Sequence, residues 1–280
     1  SGAKEMLGRT PDNIVAVKPL KGGVIANFYG TRMMLEEFIS KSVKKGILSK
    51  PRVVICVPSG ITDVETMAVE QVANDAGAKE VYIMEEAMAA AIGAGIKVDS
   101  PEGSMIVDIG GGTTEVAVVS LGGIVASNAI RLAGDNLDHD IVEYIKEKYN
   151  VIIGENIAEE IKNTIGAAFS SMTEERMQVK GRNLSTGLPD TVTVTTSDIE
   201  KAMHKILEEI VKTINLTLEK TPPELASDIM EKGIIVCGGG AYIKNIDRYI
   251  SDKVGIPVFI ATNPLECVVK GTGKTLEDLE

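Results

Sequence analysis

The segment Ser104-Met-Ile-Val-Asp-Ile-Gly-Gly-Gly-Thr-Thr-Glu-Val-Ala-Val-Val119 places two carboxylates, three glycines and two threonines between two apolar runs. The apolar runs predict two strands, and the glycines predict a sharp turn between them. Glycine lets the backbone approach a ligand closely, and successive bare N–H groups form a concavity that binds anions. The alternative interpretation of Gly110, Gly111 and Gly112 is a tight hairpin in an ordinary sheet.

A second glycine run, Gly238-Gly239-Gly240, follows the apolar residues 233–237. Two turns of this kind, each placed directly after a strand, predict a backbone cradle for a phosphorylated ligand. We therefore expect the main-chain amides at the two bends to converge on one crevice.

Composition limits the class of protein. A chain of 280 residues with 44% hydrophobic residues is long enough for one large or two modest domains with a real core. Its net charge of −11 argues against nucleic acid as a partner, because a general nucleic-acid binder needs a basic face. Cys56, Cys237 and Cys267 have no metal-binding spacing, so we expect reduced thiols in the core and a cytosolic compartment.

The order of apolar and polar segments predicts an α/β fold. Strand and helix patterns alternate through residues 12–95, and a polar break at 99–103 marks a candidate lobe boundary. Residues 104–131 then predict three strands in an antiparallel meander. Ser197-Asp-Ile-Glu200 has the pattern of a capping box and predicts the start of a long helix that Pro222-Pro223 ends.

The C-terminal residues Gly271-Thr-Gly-Lys-Thr275 resemble part of a phosphate-binding P-loop. The full pattern needs a glycine five residues before Gly273, and Val268 stands there. We therefore expect a basic turn that leads into the last helix.

Two acidic positions are candidates for the chemistry of a phosphate site. Asp108 ends an apolar strand directly before the glycines, where a carboxylate can hold Mg²⁺ through water. Glu85 and Glu86 begin an Ala-rich helix and can orient the water that attacks a γ-phosphate. The alternative is that these two glutamates compensate the helix dipole.

Several long motifs resemble the MreB/Mbl family of bacterial actin homologues, in the family's order and over essentially the whole chain. These motifs are residues 3–11, 51–55, 85–95, 108–118, 132–138, 184–189 and 218–225. The resemblance implies the actin-like, ribonuclease H-like ATPase fold that heat-shock chaperones share, with two lobes around an adenine-nucleotide cleft. It implies that residues 1–27 are a remnant of the small subdomain of lobe I and 28–103 plus 262–280 its large subdomain. Residues 104–150 plus 223–261 and residues 151–222 would be the large and small subdomains of lobe II.

The resemblance also implies the ligands, ATP or ADP with Mg²⁺, and a role for each site residue. Asp108 would serve the Mg²⁺ shell, and Glu86 and Thr113 would position the attacking water. The residues implied in nucleotide binding are Gly110, Gly111, Gly112 and Thr113 in a phosphate loop, Gly134 and Asp135 in the cleft, Glu159, Glu160, Ile161 and Lys162 near ribose and adenine, and Gly238, Gly239, Gly240 and Ala241 in the adenosine turn.

The sequence departs from the family pattern in two places. Ala87 stands where the family has proline after two glutamates, which removes a rigid residue from the first helical turn. The family also begins with a further segment that carries a first phosphate loop. The resemblance implies that this chain is N-terminally truncated and starts after that loop, so we expect weakened nucleotide binding and poor hydrolysis.

The resemblance implies a cytoplasmic protein at the inner face of the cell membrane. ATP-dependent filaments of the protein itself would guide cell-wall synthesis together with morphogenesis proteins and maintain rod shape. Ile47 and Leu48 stand among lysines, which suits an anionic lipid surface, and the alternative is an ordinary solvated loop. Two other functions on the same fold are a sugar or acetate kinase and the ATPase core of a heat-shock chaperone.

Overall fold

The computed structural model describes residues 6, 10, 14–43, 50–169 and 174–278, with side chains to residue 277. Its strands are β1 (Leu20–Lys21), β2 (Val24–Ile25), β3 (Arg52–Val57), β4 (Glu80–Glu85), β5 (Ser104–Ile109), β6 (Thr114–Ser120), β7 (Gly123–Ile130), β8 (Val151–Ile152), β9 (Arg176–Asn183), β10 (Pro189–Thr195), β11 (Ile234–Cys237) and β12 (Val258–Ile260). Its helices are α1 (Phe28–Ser42), α2 (Asp63–Asp75), α3 (Glu86–Gly93), α4 (Gly134–Tyr149), α5 (Glu155–Ile165), α6 (Thr196–Lys220), α7 (Pro223–Lys232), α8 (Ile246–Val254) and α9 (Cys267–Asp278).

The largest sheet in the described residues has five strands in the order β12-β11-β5-β6-β7. Strands β5, β6 and β7 form the antiparallel meander that the sequence predicts. Strand β11 pairs in parallel with β5, so that Cys237 lies opposite Asp108. Because parallel strands end at the same edge of a sheet, the glycine turns after β5 and β11 are brought side by side.

Both faces of this sheet are covered, which explains why β5 is apolar at almost every position. Met105, Val107 and Ile109 belong to one cluster of buried residues, which includes apolar residues of α4 and α6. Ile106, which lies between Met105 and Val107, belongs to a second cluster with three of the alanines of α3 and with Cys267. Alternate residues of a strand point to opposite faces, so one strand supplies both cores.

A parallel pair, β3 and β4, lies beside α3 and α9. Residues 271–275, predicted as a basic turn, lie inside α9, and this prediction was wrong. The glycine at 271 serves close packing, because a Cβ there would stand 1.8 Å from the carbonyl oxygen of Ala89. The backbones of α3 and α9 can therefore approach each other, which joins the end of the chain to α3.

Other predictions of element boundaries need correction. The capping box of α6 is formed by Thr195 and Asp198 rather than by residues 197 and 200: Asp198 N–H donates to Thr195 Oγ1 at 3.3 Å, and Thr195 N–H donates to Asp198 Oδ2 at 3.2 Å. Helix α7 was missed, since the Pro222-Pro223 pair that ends α6 also starts α7, where proline is well suited to the first turn.

None of the described helices combines the length and the apolarity that crossing a bilayer requires. The helix α9 contacts α3 and β3, which connects residues near 270 with those before 103. The four-part subdomain division stays a prediction.

We expect Ile210→Ala to lower the free energy of unfolding by about 2–5 kcal/mol, because it leaves a cavity in the core. Ile210 is 0% exposed on α6, whereas Leu216 on the same helix is 42% exposed. Leu216→Ala is the matched control and should cost under about 1 kcal/mol. Urea unfolding of the two variants checks this, and equal losses would contradict the assigned core.

Candidate functional site

A cleft of about 1410 Å³ opens at the carboxyl ends of β5 and β11. This volume exceeds the roughly 300–1,000 Å³ of many small-molecule sites, so a nucleotide fits. Gly110 and Gly111 of the first glycine turn line the cleft together with Gly238, Gly239 and Gly240 of the second. The two turns therefore meet at one hollow, as the sequence predicts.

Some of the predicted site residues line the cleft, and others do not. Those on the wall besides the glycines of the two turns are Glu86, Asp108, Gly134, Asp135, Glu159 and Lys162. Ile161 is fully buried in the core and Glu160 is exposed, because successive residues of α5 face different directions. Gly112, Thr113 and Ala241 also lie outside the wall.

Gly112 and Thr113 are covered by the turn between β1 and β2. A Cβ on Gly112 would stand 2.9 Å from Gly22 Cα, and a Cβ on Gly23 would stand 3.0 Å from Thr113 Cγ2. Pro58 contacts the same turn, since its Cγ would lie 2.7 Å from that Cβ on Gly23. The N-terminal hairpin thus packs directly behind the first glycine turn.

The first glycine turn is anchored to the start of α4. Gly110 N–H donates to Thr113 O at 2.9 Å, which closes the turn. Gly134 N–H donates to Gly110 O at 3.1 Å, and Asp135 N–H donates to Gly111 O at 2.7 Å. Because the carbonyls of the turn are held by α4, the turn keeps a defined shape without a ligand.

The second glycine turn lies against the end of β5 and leaves no room for a side chain at two of its three glycines. Gly238 has φ of +80°, and a Cβ there would stand 2.2 Å from Asp108 Oδ1. A Cβ on Gly240 would stand 2.2 Å from Ile109 Cγ2. The close approach of the two turns therefore depends on glycine at both positions.

Two carboxyl groups on the cleft wall, those of Glu86 and Asp108, lie close to a third, Glu115, which is outside the wall. Asp108 and Glu115 are opposite each other on β5 and β6 and are 4% and 1% exposed. Burial and the charge of Glu86 raise the pKa of each to about 7. Burial also raises the pKa of Glu86. Like charges this close disfavour one another, and a cation at the site would offset that cost.

The donor set suits Mg²⁺ held mainly through water. Within the part of the chain that the structure describes, no three His, Cys, Asp or Glu side chains are arranged to hold a metal ion directly. Mg²⁺ keeps several waters and needs one or two carboxylates plus phosphate oxygens. Asp108, a hard oxygen donor on the wall, fits this role.

Lys162 is a buried cation on the opposite side of the cleft. Its Nζ lies 2.7 Å from Asp138 Oδ1 and donates to Gly134 O at 3.1 Å. Burial raises the pKa of Asp138, and the ion pair with Lys162 opposes that rise. Lys162 therefore fixes the start of α4, to which the first glycine turn is bound.

Sequence reasoning missed the contribution of the segment before β1. Lys18 lines the cleft, with Nζ 3.4 Å from Glu155 Oε2 and 3.8 Å from Asp135 Oδ1. No local pattern around Lys18 marks it as a site residue. Among the described residues, three lysines and six carboxylic acids line the cleft, so a phosphate chain needs an added cation.

The chain is similar to known proteins both in sequence and in fold. The family model described as MreB/Mbl protein matches residues 1–280. The chain is 48% identical over 279 residues to the cell shape-determining protein MreB of Escherichia coli (strain K12), covering 99% of this chain and 80% of that protein. It is 46% identical over 278 residues to the cell shape-determining protein Mbl of Bacillus subtilis (strain 168), covering 99% and 84%. The crystal structure of MreB5 of Spiroplasma citri bound to ADP superposes with a TM-score of 0.94 at 40% identity, covering 99% and 84%.

We expect Gly240→Ala to lower the free energy of unfolding by about 1–3 kcal/mol, because its methyl group overlaps Ile109. Gly239→Ala is the matched control, since its nearest contact would be Leu265 Cδ1 at 3.8 Å. Denaturant unfolding without nucleotide measures both variants. A Gly239→Ala loss as large as that of Gly240→Ala would contradict the packing of the two turns.

We expect Asp108→Asn to stabilise the nucleotide-free and metal-free protein above neutral pH. The pKa of Asp108 rises from 3.8 to about 7 on folding, so the folded state holds a proton that the unfolded chain releases. The contribution of the Asp108 carboxyl to the free energy of unfolding is therefore fully present below pH 3.8 and is lost as pH rises through 7. The variant should gain at least about 1 kcal/mol over the wild type near pH 8 and less near pH 4.

Urea unfolding at the two pH values measures the gain. Asp252→Asn, at an exposed position on α8 outside the cleft wall, is the matched control. An equal effect of Asp108→Asn at both pH values would contradict the raised pKa.

Proposed function

The chain belongs to the MreB/Mbl protein family, and on that premise we propose that it is an actin-like filament protein that binds ATP and acts in bacterial cell shape. Its α/β fold is the actin-like fold that the sequence predicted. The proposal depends on one observation above all: two glycine turns line a single cleft with the Asp108 carboxylate on its wall. A solved relative of the same fold, MreB5 of Spiroplasma citri, is bound to ADP.

The phosphates would lie against the first glycine turn, where Gly110 and Gly111 line the cleft and Gly112 supports the turn from outside the wall. Mg²⁺, when bound through Asp108 and water, would neutralise the phosphate charge that the acidic cleft does not balance. Glu86 lies on the wall at the start of α3, where its carboxylate would orient the attacking water. Thr113, which lies beside Gly23 behind the glycine turn, would help Glu86 to position this water. Hydrolysis of this kind is positioning rather than covalent catalysis.

The nucleoside would occupy the part of the cleft between α5 and the second glycine turn. Glu159 and Lys162 line one side, and Gly238, Gly239 and Gly240 line the other. Tyr242 and Leu265 add apolar surface on the side of the second turn, which suits a planar base. ATP turnover would be slow and would time assembly rather than serve metabolism.

The cellular part of the proposal follows from the relatives, which are cell shape-determining proteins. Filaments of this chain would assemble at the inner face of the cell membrane and organise cell-wall synthesis with morphogenesis proteins. The membrane contact proposed for Ile47 and Leu48 lies outside the described residues, and its support is their sequence context among lysines.

We expect the protein to bind ATP more tightly with Mg²⁺ and to form filaments that are visible by electron microscopy. Asp108→Ala should weaken Mg²⁺-dependent ATP affinity at least about tenfold while changing the Mg²⁺-free affinity less, because one carboxylate of the ion's shell is lost. Calorimetric titration measures the ATP affinity with and without Mg²⁺, and pelleting measures filament assembly. Asp252→Ala on α8 is the matched control.

Discrete particles under every nucleotide condition would contradict filament assembly and favour a sugar or acetate kinase. Equal loss of affinity with and without Mg²⁺ would contradict the role of Asp108.

We expect Ile47→Ser/Leu48→Ser filaments to pellet less with anionic phospholipid vesicles than wild-type filaments do. Two apolar residues bind lipid weakly, so the difference appears only where a filament presents many copies. Leu121→Ser/Met230→Ser removes two other exposed apolar side chains and is the control. If the variant filaments pelleted with vesicles as well as wild-type filaments at equal filament mass, the proposed membrane contact would be contradicted.

A further inference from the structure

The turn after β3 carries a serine that touches two carboxylates near the proposed hydrolysis site. Ser59 N–H donates to Glu115 Oε1 at 2.9 Å, and Ser59 Oγ donates to Glu115 Oε2 at 3.1 Å. The same hydroxyl lies 3.2 Å from Glu85 Oε2. One residue thus binds both oxygens of Glu115 and reaches a second glutamate.

The two glutamates belong to the two strands that present the water-orienting residues. Glu85 is the last residue of β4 and directly precedes Glu86. Glu115 lies on β6, two residues after Thr113, and is paired across the sheet with Asp108. A shift of either glutamate therefore changes the distance between Glu86 and the first glycine turn.

Glu115 needs this contact for a physical reason. It is 1% exposed, and the charged groups that bear on it, Glu86 from α3 and Asp108 from β5, are both acidic. A buried carboxylate is costly unless donors satisfy it, and Ser59 supplies two. The clamp, meaning the two hydrogen bonds from Ser59 to Glu115, joins the β3–β4 pair to the five-stranded sheet.

We propose that Ser59 is a positioning residue for nucleotide hydrolysis: through the clamp it sets the separation between Glu86 and the turn at 110–113. This inference rests on the proposed function. Ser59 is absent from the cleft wall, so it acts through Glu115 and Glu85 rather than on the nucleotide. The hydroxyl has one hydrogen and two acceptors in reach, so it can hold Glu115 or Glu85 but not both fully. Loss of the hydroxyl would leave nucleotide binding intact and loosen the geometry that hydrolysis requires.

The test compares Ser59→Ala, Ser59→Thr and Ser120→Ala in the full chain. Ser120 is a buried serine whose hydroxyl donates to Pro101 O at 2.9 Å, at the far end of β6, and it serves as the matched control. ATP affinity with Mg²⁺, single-turnover phosphate release at equal filament mass, and amide hydrogen exchange of the nucleotide-free protein are measured for each variant.

Ser59→Ala should slow phosphate release about tenfold or more, since small misplacement of reacting groups is enough for such a loss. Its ATP affinity should stay within about twofold of the wild type, and exchange at residues 57–62 and 110–116 should rise. Ser59→Thr keeps the hydroxyl and should restore both release and protection. Ser120→Ala should match the wild type in release and affinity.

Several results would overturn the positioning role. These are wild-type phosphate release in Ser59→Ala, an affinity loss as large as the rate loss, a failure of Ser59→Thr to restore release, or a wild type that binds ATP and releases no phosphate. A wild type that binds no ATP overturns the proposed function, and the positioning role falls with it. Hydrogen exchange then shows separately whether the clamp exists.

Discussion

The parallel pairing of β5 with β11 is the constraint on which the site depends. It places Asp108 opposite Cys237 and puts both strand ends at one edge of the sheet. Each strand runs directly into glycines, so two backbone turns face the same hollow. Gly238 and Gly240 allow the second turn to lie against the end of β5, because a Cβ at either position would overlap Asp108 or Ile109. The binding surface is therefore a consequence of strand order and of missing side chains.

The electrostatics of the cleft oppose the ligand that its shape accepts. Carboxylic acids outnumber lysines among the described residues of the wall, and the buried carboxyl groups of Asp108 and Glu115 lie close to that of Glu86. In such surroundings a phosphate chain and its carboxylates repel each other until a divalent cation lies between them. The protein thus contributes a pre-shaped backbone cradle, and the cation contributes the charge balance. Nucleotide and metal are expected to bind together for this reason.

Contacts from distant parts of the chain support the cradle from behind. The turn at Gly22 and Gly23 packs on Gly112 and Thr113, and α4 holds the carbonyls of Gly110 and Gly111. Helix α9 joins α3 through the close approach at Gly271, which ties the end of the chain to the helix that presents Glu86. A substitution at any of these contacts would alter the geometry of the site although the substituted residue contacts no ligand.

Local sequence determined the class of the fold, most elements and the two glycine turns, because apolar periodicity and glycine runs are encoded over a few residues. The alternation of strands and helices before residue 95 and the meander of β5–β7 followed from such patterns. Helix α7 and the capping box at Thr195 did not, since a proline pair both ends and begins helices and several residues near a helix start can cap it.

The tertiary structure alone decided that Lys18 enters the cleft, that Ser59 clamps Glu115, and that residues 271–275 pack as a helix on α3. Each of these depends on a contact between residues far apart in the chain, and no pattern within either segment records it.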